Sequence, residues 1–112
     1  MHFVLEMLLQ SDNHDRALIY LKSLHLSDPV NLDYLRALAI TSEKDGNLNE
    51  AIKYRKLIEP IDPWNLDNYL RLGYLYKGLG DEINMKKMLE KIKLAAPDHI
   101  IAITATQQLS FG

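Results

Sequence analysis

Four histidines, His2, His14, His25 and His99, are the residues best suited to metal binding or proton transfer, and their spacing serves neither. No His-x-x-His or His-Glu-x-x-His run sets two imidazoles on one helical face, so a zinc site would have to be assembled across separate elements. Ser11, Ser23, Ser27, Ser42 and Ser110 lack the glycine-flanked turn that exposes a nucleophilic hydroxyl. Gly73, Gly78 and Gly80 are not followed by the Gly-Lys-Ser/Thr of a phosphate loop. The absence of cysteine removes a disulfide framework, a thiolate metal site and a cysteine nucleophile. Adjacent acids such as Asp81 and Glu82 fall where a helix N-terminus attracts negative charge. The expectation is a protein that is not an enzyme and needs no cofactor or metal.

Composition narrows the class further. The 112 residues fit one domain with a modest core, and 47% hydrophobic with 25% charged residues is ordinary for a globular chain. A net charge of −2 argues against nucleic acid, whose phosphates need a basic excess. No apolar run approaches the ~20 residues that span a bilayer. The start, MHFVLEMLLQ, carries His2 and Glu6 and no basic leader, so a secretory signal is not expected. These features suit a soluble domain, cytoplasmic rather than secreted, or one tethered to a membrane protein.

The elements that would position any functional residue follow from an internal repeat. Pro29, Pro63 and Pro97 recur every 34 residues. Asp28 and Asp62 precede the first two, and Asn31 and Asn65 follow them. Gly46 and Gly80, Ala17 and Ala51, Tyr20 and Tyr54, and Leu24, Ile58 and Ile92 keep the same interval. Within each period two helical patterns alternate with turn signals. Leu32, Leu35, Leu38 and Ala39 recur at helical spacing up to Lys44, and Gly46 can take the left-handed conformation that ends a helix. Ala51, Ile52, Leu57 and Ile58 carry the next helix, which Pro60 and Pro63 stop. Asn31 and Asn65 are expected N-caps, with Asp33 and Asp67 in the first turns behind them.

A 34-residue helix–turn–helix period resembles the tetratricopeptide repeat. Leu35, Leu38 and Ala39, then Tyr69, Leu72 and Gly73, match the family's large–Leu–small pattern of the first helix. Tyr76 matches its later aromatic, where the earlier repeat has Ser42. Ala51 is its small residue of the second helix, and Pro63 or Pro97 its closing proline. Two positions depart: Arg55 stands where a large apolar residue is usual, and Met85 replaces the small residue. The resemblance implies an all-α, right-handed α-solenoid of about seven helices forming one domain, 1–112. It would hold a partial repeat 1–31, full repeats 32–65 and 66–99 and a final helix 100–112, as a fragment of a longer protein. Met85 is expected to fill the space left by Gly73, with Ala51 facing Ala39. Arg55 is expected to lay its stem on apolar surface with its head in water. More narrowly, Tyr54 to Pro97 is similar, around Trp64, Asn65, Tyr69 and Met85, to repeat-bearing tails of bacterial O-antigen ligase or polymerase-like membrane proteins. None of their catalytic part is present.

In the family, first helices line a concave groove and second helices form the convex outside. Groove positions would be Asp33, Arg36, Ile40 and Glu43, then Asp67, Leu70, Tyr74 and Lys77, then Ile101, Thr104 and Gln108. Ile40, Leu70 and Tyr74 form an apolar floor among mixed charges, suited to an amphipathic protein or peptide ligand. The alternative is that Tyr74 simply packs between helices. The chaperone-tail clamp of some family members is not reproduced: its places hold His2, Glu6, Ala37, Asp67 and Arg71, or Arg36, Ile40, Arg71, Ile101 and Ala105 one repeat later. The second helices, 14–26, 48–59 and 82–95, hold nine of the 13 basic residues against five acids. That face is either a solvated surface or a peripheral contact with anionic lipid. The apolar N-terminal helix offers a homo-oligomer contact. The competing role is a structural or oligomerisation tail of a membrane protein in surface-polysaccharide assembly.

Overall fold

The computed structural model describes residues 7–10 and 13–109, and every regular element among them is helical. Residues 7–10 are helical, followed by α1 (His14–Ser27), α2 (Leu32–Lys44), α3 (Leu48–Ile58), α4 (Leu66–Leu79), α5 (Glu82–Ala95) and α6 (Ile100–Leu109). The expected first helix, Met1 to Gln10, lies largely outside the described residues. The chain forms two compact units, Met1–Ile61 and Asp62–Gly112.

The repeated Asp-Pro-x-Asn corner has a local cause. Asn31 N donates to the Asp28 carbonyl at 3.1 Å and Asn65 N to that of Asp62 at 3.2 Å. These bonds close four-residue turns with proline at the second position, where its fixed φ is favoured. Each asparagine then caps the helix it opens. Asn31 Oδ1 accepts from Tyr34 N at 3.2 Å, and Asn65 Oδ1 from Asn68 N at 3.0 Å. The third corner substitutes His99, whose backbone closes on Ala96 at 3.1 Å and whose Nδ1 accepts from Ile101 N at 3.0 Å.

The hairpin turns repeat as faithfully. Gly46 and Gly80 are left-handed, with φ of 82° and 75°. Behind them Asn47 N reaches the Ser42 carbonyl and Asp81 N that of Tyr76, both at 2.9 Å. Each turn thus satisfies carbonyls that the helix end leaves without partners. A second set of caps follows: Asn13, Asn47 and Asp81 accept from the backbone N–H three residues on. Their shared 34-residue spacing was the signal for them.

In the first unit α2 packs against α1 and α3. Leu21, Leu35, Leu38 and Ala39 are fully buried there with Tyr54 and Ile58, and Leu8, Leu9 and Leu18 pack against the cluster. Full burial of one leucine contributes ~1.5–3 kcal/mol, so three such residues set the rotation of these helices. In the second unit α4 packs on α5, and α6 rests against both. Leu72, Ile92, Ala105 and Leu109 are its most buried apolar residues.

Three packing expectations change. A β-carbon on Gly73 would meet Leu109, with Cδ1 at 2.6 Å, and all three nearest atoms belong to that side chain; Met85 is not among them. The helix rotation aims this backbone at α6 rather than at the second helix of its own hairpin. Arg55 is only 4% exposed, so its head does not reach water. Ala37, expected near the groove, is 2% exposed and belongs to the core of the first unit.

Candidate functional site

The positions expected to bind a partner lie on α2, α4 and α6, and each helix is set by its own cap and buried stripe. On α2, Asp33, Arg36, Ile40 and Glu43 recur at three- and four-residue steps, which places them on one side. Arg36 Nη2 donates to Asp33 Oδ1 at 2.7 Å, and both side chains are well exposed. Opposite charges three residues apart on one helix stabilise each other modestly. Ile40 is half-buried and Glu43 exposed.

On α4, Asp67 pairs with Arg71 at 3.6 Å, both exposed. Leu70 is buried and Tyr74 half-buried, so of the expected apolar floor in this unit Tyr74 offers more surface. Lys77 Nζ donates to the Gln108 carbonyl at 2.8 Å, joining the last turn of α4 to the end of α6. That contact was not legible in the sequence, because it depends on how α6 lies against α4. Ile101 and Thr104 are half-buried, and Gln108 is exposed.

The positions on α2 offer charge and an aliphatic side chain, and those on α4 and α6 offer charge, a tyrosine and aliphatic contact. Asp33 and Arg36 pair with each other, Asp67 pairs with Arg71, and Lys77 is held by a backbone carbonyl. Elsewhere, His14 Nδ1 stands 3.8 Å from Asp45 Oδ1 at a polar opening lined by Asn13, His14, Asp15 and Asp45. Among the described residues, no group of three or more His, Asp or Glu is placed to hold a metal ion. Likewise no helix among them is long and apolar enough to cross a membrane.

The tyrosine with a clear electrostatic shift is Tyr54 on α3. Burial raises its phenol pKa above the usual value, and the Glu50 carboxylate adds to this by its charge and by accepting a hydrogen bond from the phenol O–H. His25 meets the Tyr54 ring edge-on, with centroids 6.3 Å apart, and Lys53 Nζ lies 5.5 Å from its centroid. The His25–Tyr54 contact joins α1 and α3 within the first unit.

No family model matches the chain, and no curated protein matches it in sequence. Solved structures do. The chain is similar to the Yersinia enterocolitica type III secretion translocator chaperone SycD, with TM-score 0.77 and 13% identity, over 99% of this chain and 84% of that one. It is also similar to the first TPR of Spaghetti (RPAP3) bound to the HSP90 peptide SRMEEVD, with TM-score 0.72 and 18% identity, over 88% of this chain and 78% of that one. At such identities the likeness concerns the fold, and neither structure bears on the resemblance to ligase-like tails. With its proline corners, glycine turns and paired helices, the chain has the all-α fold of the tetratricopeptide repeat.

Proposed function

We propose that the protein is a non-catalytic interaction module that holds a protein or peptide segment on the exposed side of its first helices. The observation that carries this reading is the Lys77–Gln108 contact. It brings two of the expected groove positions together on neighbouring first helices, with half-exposed Tyr74 one turn before Lys77. A tyrosine supplies wide contact area at small entropic cost, and such residues dominate many interfaces. Both similar structures named above are of proteins with protein or peptide partners by their descriptions, a translocator chaperone and a domain bound to a peptide. That agreement supports the class of partner and leaves its identity to experiment.

The test is photo-crosslinking. A benzophenone amino acid replacing Tyr74 should trap a discrete protein or peptide partner, and the same group replacing exposed Lys53 should not. Equal trapping from both positions, or from Lys53 alone, would move the working surface to the second helices. Self-association through the N-terminal helix is a separate proposal, and light scattering decides it.

A further inference from the structure

Beyond the first-helix surface, one apolar opening in the second unit has the makings of a second site. Pro63, Trp64, Tyr69, Lys91, Leu94 and Ala95 line a cavity of about 390 Å³ where the Asp62–Asn65 corner meets the end of α5. That size falls near the lower bound of small-ligand pockets and suits one large side chain. Trp64 is 75% exposed and Leu94 83% exposed, an unusual pair of large apolar side chains to leave in water.

One wall is tied to the corner by a hydrogen bond. The Tyr69 phenol donates to the Pro63 carbonyl at 2.8 Å, tying the corner to the first turns of α4. Lys91 Nζ stands 5.3 Å from the centroid of the Tyr69 ring, so the cation is held at the rim by the ring's negative face. Lys91 is the one charged residue in the lining, and Lys87 lies one turn before it on α5. An apolar interior with a positive rim selects an occupant that carries both an apolar body and negative charge.

We propose that this pocket binds a short acidic peptide segment, with one bulky apolar side chain seated between Trp64 and Leu94. Carboxylates flanking that side chain lie toward Lys91 and Lys87. A peptide fits better than an anionic bilayer because the surroundings are not uniformly basic. Glu90 stands one turn before Leu94, and Asp98 lies one turn beyond it in the following corner. An extended negative surface would meet these acids as well as the lysines, whereas a short peptide can keep its carboxylates on the Lys87–Lys91 side.

Trp64 is the only tryptophan, so its own fluorescence reports on the pocket. The probe is the capped peptide Glu-Glu-Phe-Glu-Glu, compared with Glu-Glu-Ala-Glu-Glu, Lys-Lys-Phe-Lys-Lys and vesicles of phosphatidylglycerol or phosphatidylcholine. The first peptide should shift the emission to the blue and saturate, and the two control peptides should bind at least tenfold more weakly. Leu94→Ala and Lys91→Gln should each weaken it at least fivefold with unchanged circular dichroism, and Tyr74→Ala should leave it unaltered. No response to the first peptide, a response only to phosphatidylglycerol vesicles, or a shift caused by self-association in light scattering would overturn the proposal. Loss of the response in Tyr74→Ala would also overturn it, by moving the peptide to the first-helix surface while leaving that surface's role standing.

Discussion

The Cδ1 of Leu109 lies 2.6 Å from where a β-carbon on Gly73 would stand. Glycine here is a packing requirement imposed by α6, since a larger residue must displace a side chain that is itself fully buried. Gly73→Leu should cost ~1–3 kcal/mol, the usual range for overpacking. Combining it with Leu109→Ala should recover much of that loss, and combining it with Met85→Ala should not. Urea denaturation of Gly73→Leu, Leu109→Ala, Met85→Ala and the two double variants checks this as two double-mutant cycles. Recovery with Met85→Ala alone would show that Gly73 packs against its own hairpin partner. Ala37→Leu should also destabilise, because Ala37 is enclosed in the core of the first unit.

The asparagine caps allow a second comparison. Asn47 Oδ1 accepts from Glu50 N at 3.2 Å, and Asn65 Oδ1 from Asn68 N at 3.0 Å. Alanine at either position leaves a helix N-terminus short of one acceptor, with an expected cost of ~0.5–2 kcal/mol. Asn→Asp should retain most of the stability, since aspartate caps equally well and its charge suits the helix dipole. Denaturant midpoints that fail to separate Ala from Asp would show that these bonds do not hold in solution.

Tyr54 makes stability depend on alkaline pH. Its folded pKa lies above the unfolded value, chiefly through burial and then through the Glu50 carboxylate. The folded state therefore keeps its proton where the unfolded chain has begun to lose it. The stabilisation is fully present below a pH of about 10, the ordinary tyrosine pKa, and is lost as pH climbs toward the raised value. Tyr54→Phe removes the ionisable group, so its Tm should fall less steeply than the parent's above that pH. Parallel Tm profiles for the two proteins would exclude Tyr54 as the source.

Much of the fold was legible because it is written locally. The Leu32–Lys44 helix, its Asn31 cap and the left-handed Gly46 each follow from a few neighbouring residues, and the 34-residue interval copies them forward. The Gly73–Leu109 approach was not legible, because two helices distant in sequence meet there and only their rotation decides which atoms touch. Arg55 was misplaced for a related reason: an arginine is usually exposed, and one residue type cannot report that its surroundings close over it. Trp64 and Leu94 reverse that case. Their types predict burial, yet Trp64 in the Asp62–Asn65 corner and Leu94 in the last turn of α5 are both exposed. On the first helices the spacing grouped the candidate positions helix by helix, while the Asp33–Arg36 and Lys77–Gln108 contacts among them follow only from the fold.

The binding role proposed for the first helices rests on groups that can be removed without touching the cores. Tyr74 is half-buried and Arg36 exposed, so Tyr74→Ala and Arg36→Glu should each shift Tm only slightly. Arg36→Glu replaces the Asp33 ion pair by a repulsion, which at an exposed helix position costs roughly a few tenths of a kcal/mol. Loss of partner capture by either variant would therefore come from the surface itself. Tyr74→Ala removes a broad contact and should reduce capture more than tenfold. Arg36→Glu reverses a charge and should weaken capture most at low ionic strength, where screening is least. Lys53→Glu changes the same amount of charge on a second helix and serves as the matched control. Competition measured on one immobilised partner then separates the surfaces. Wild-type capture by the Tyr74 and Arg36 variants, with failure of Lys53→Glu, would assign binding to the basic second helices.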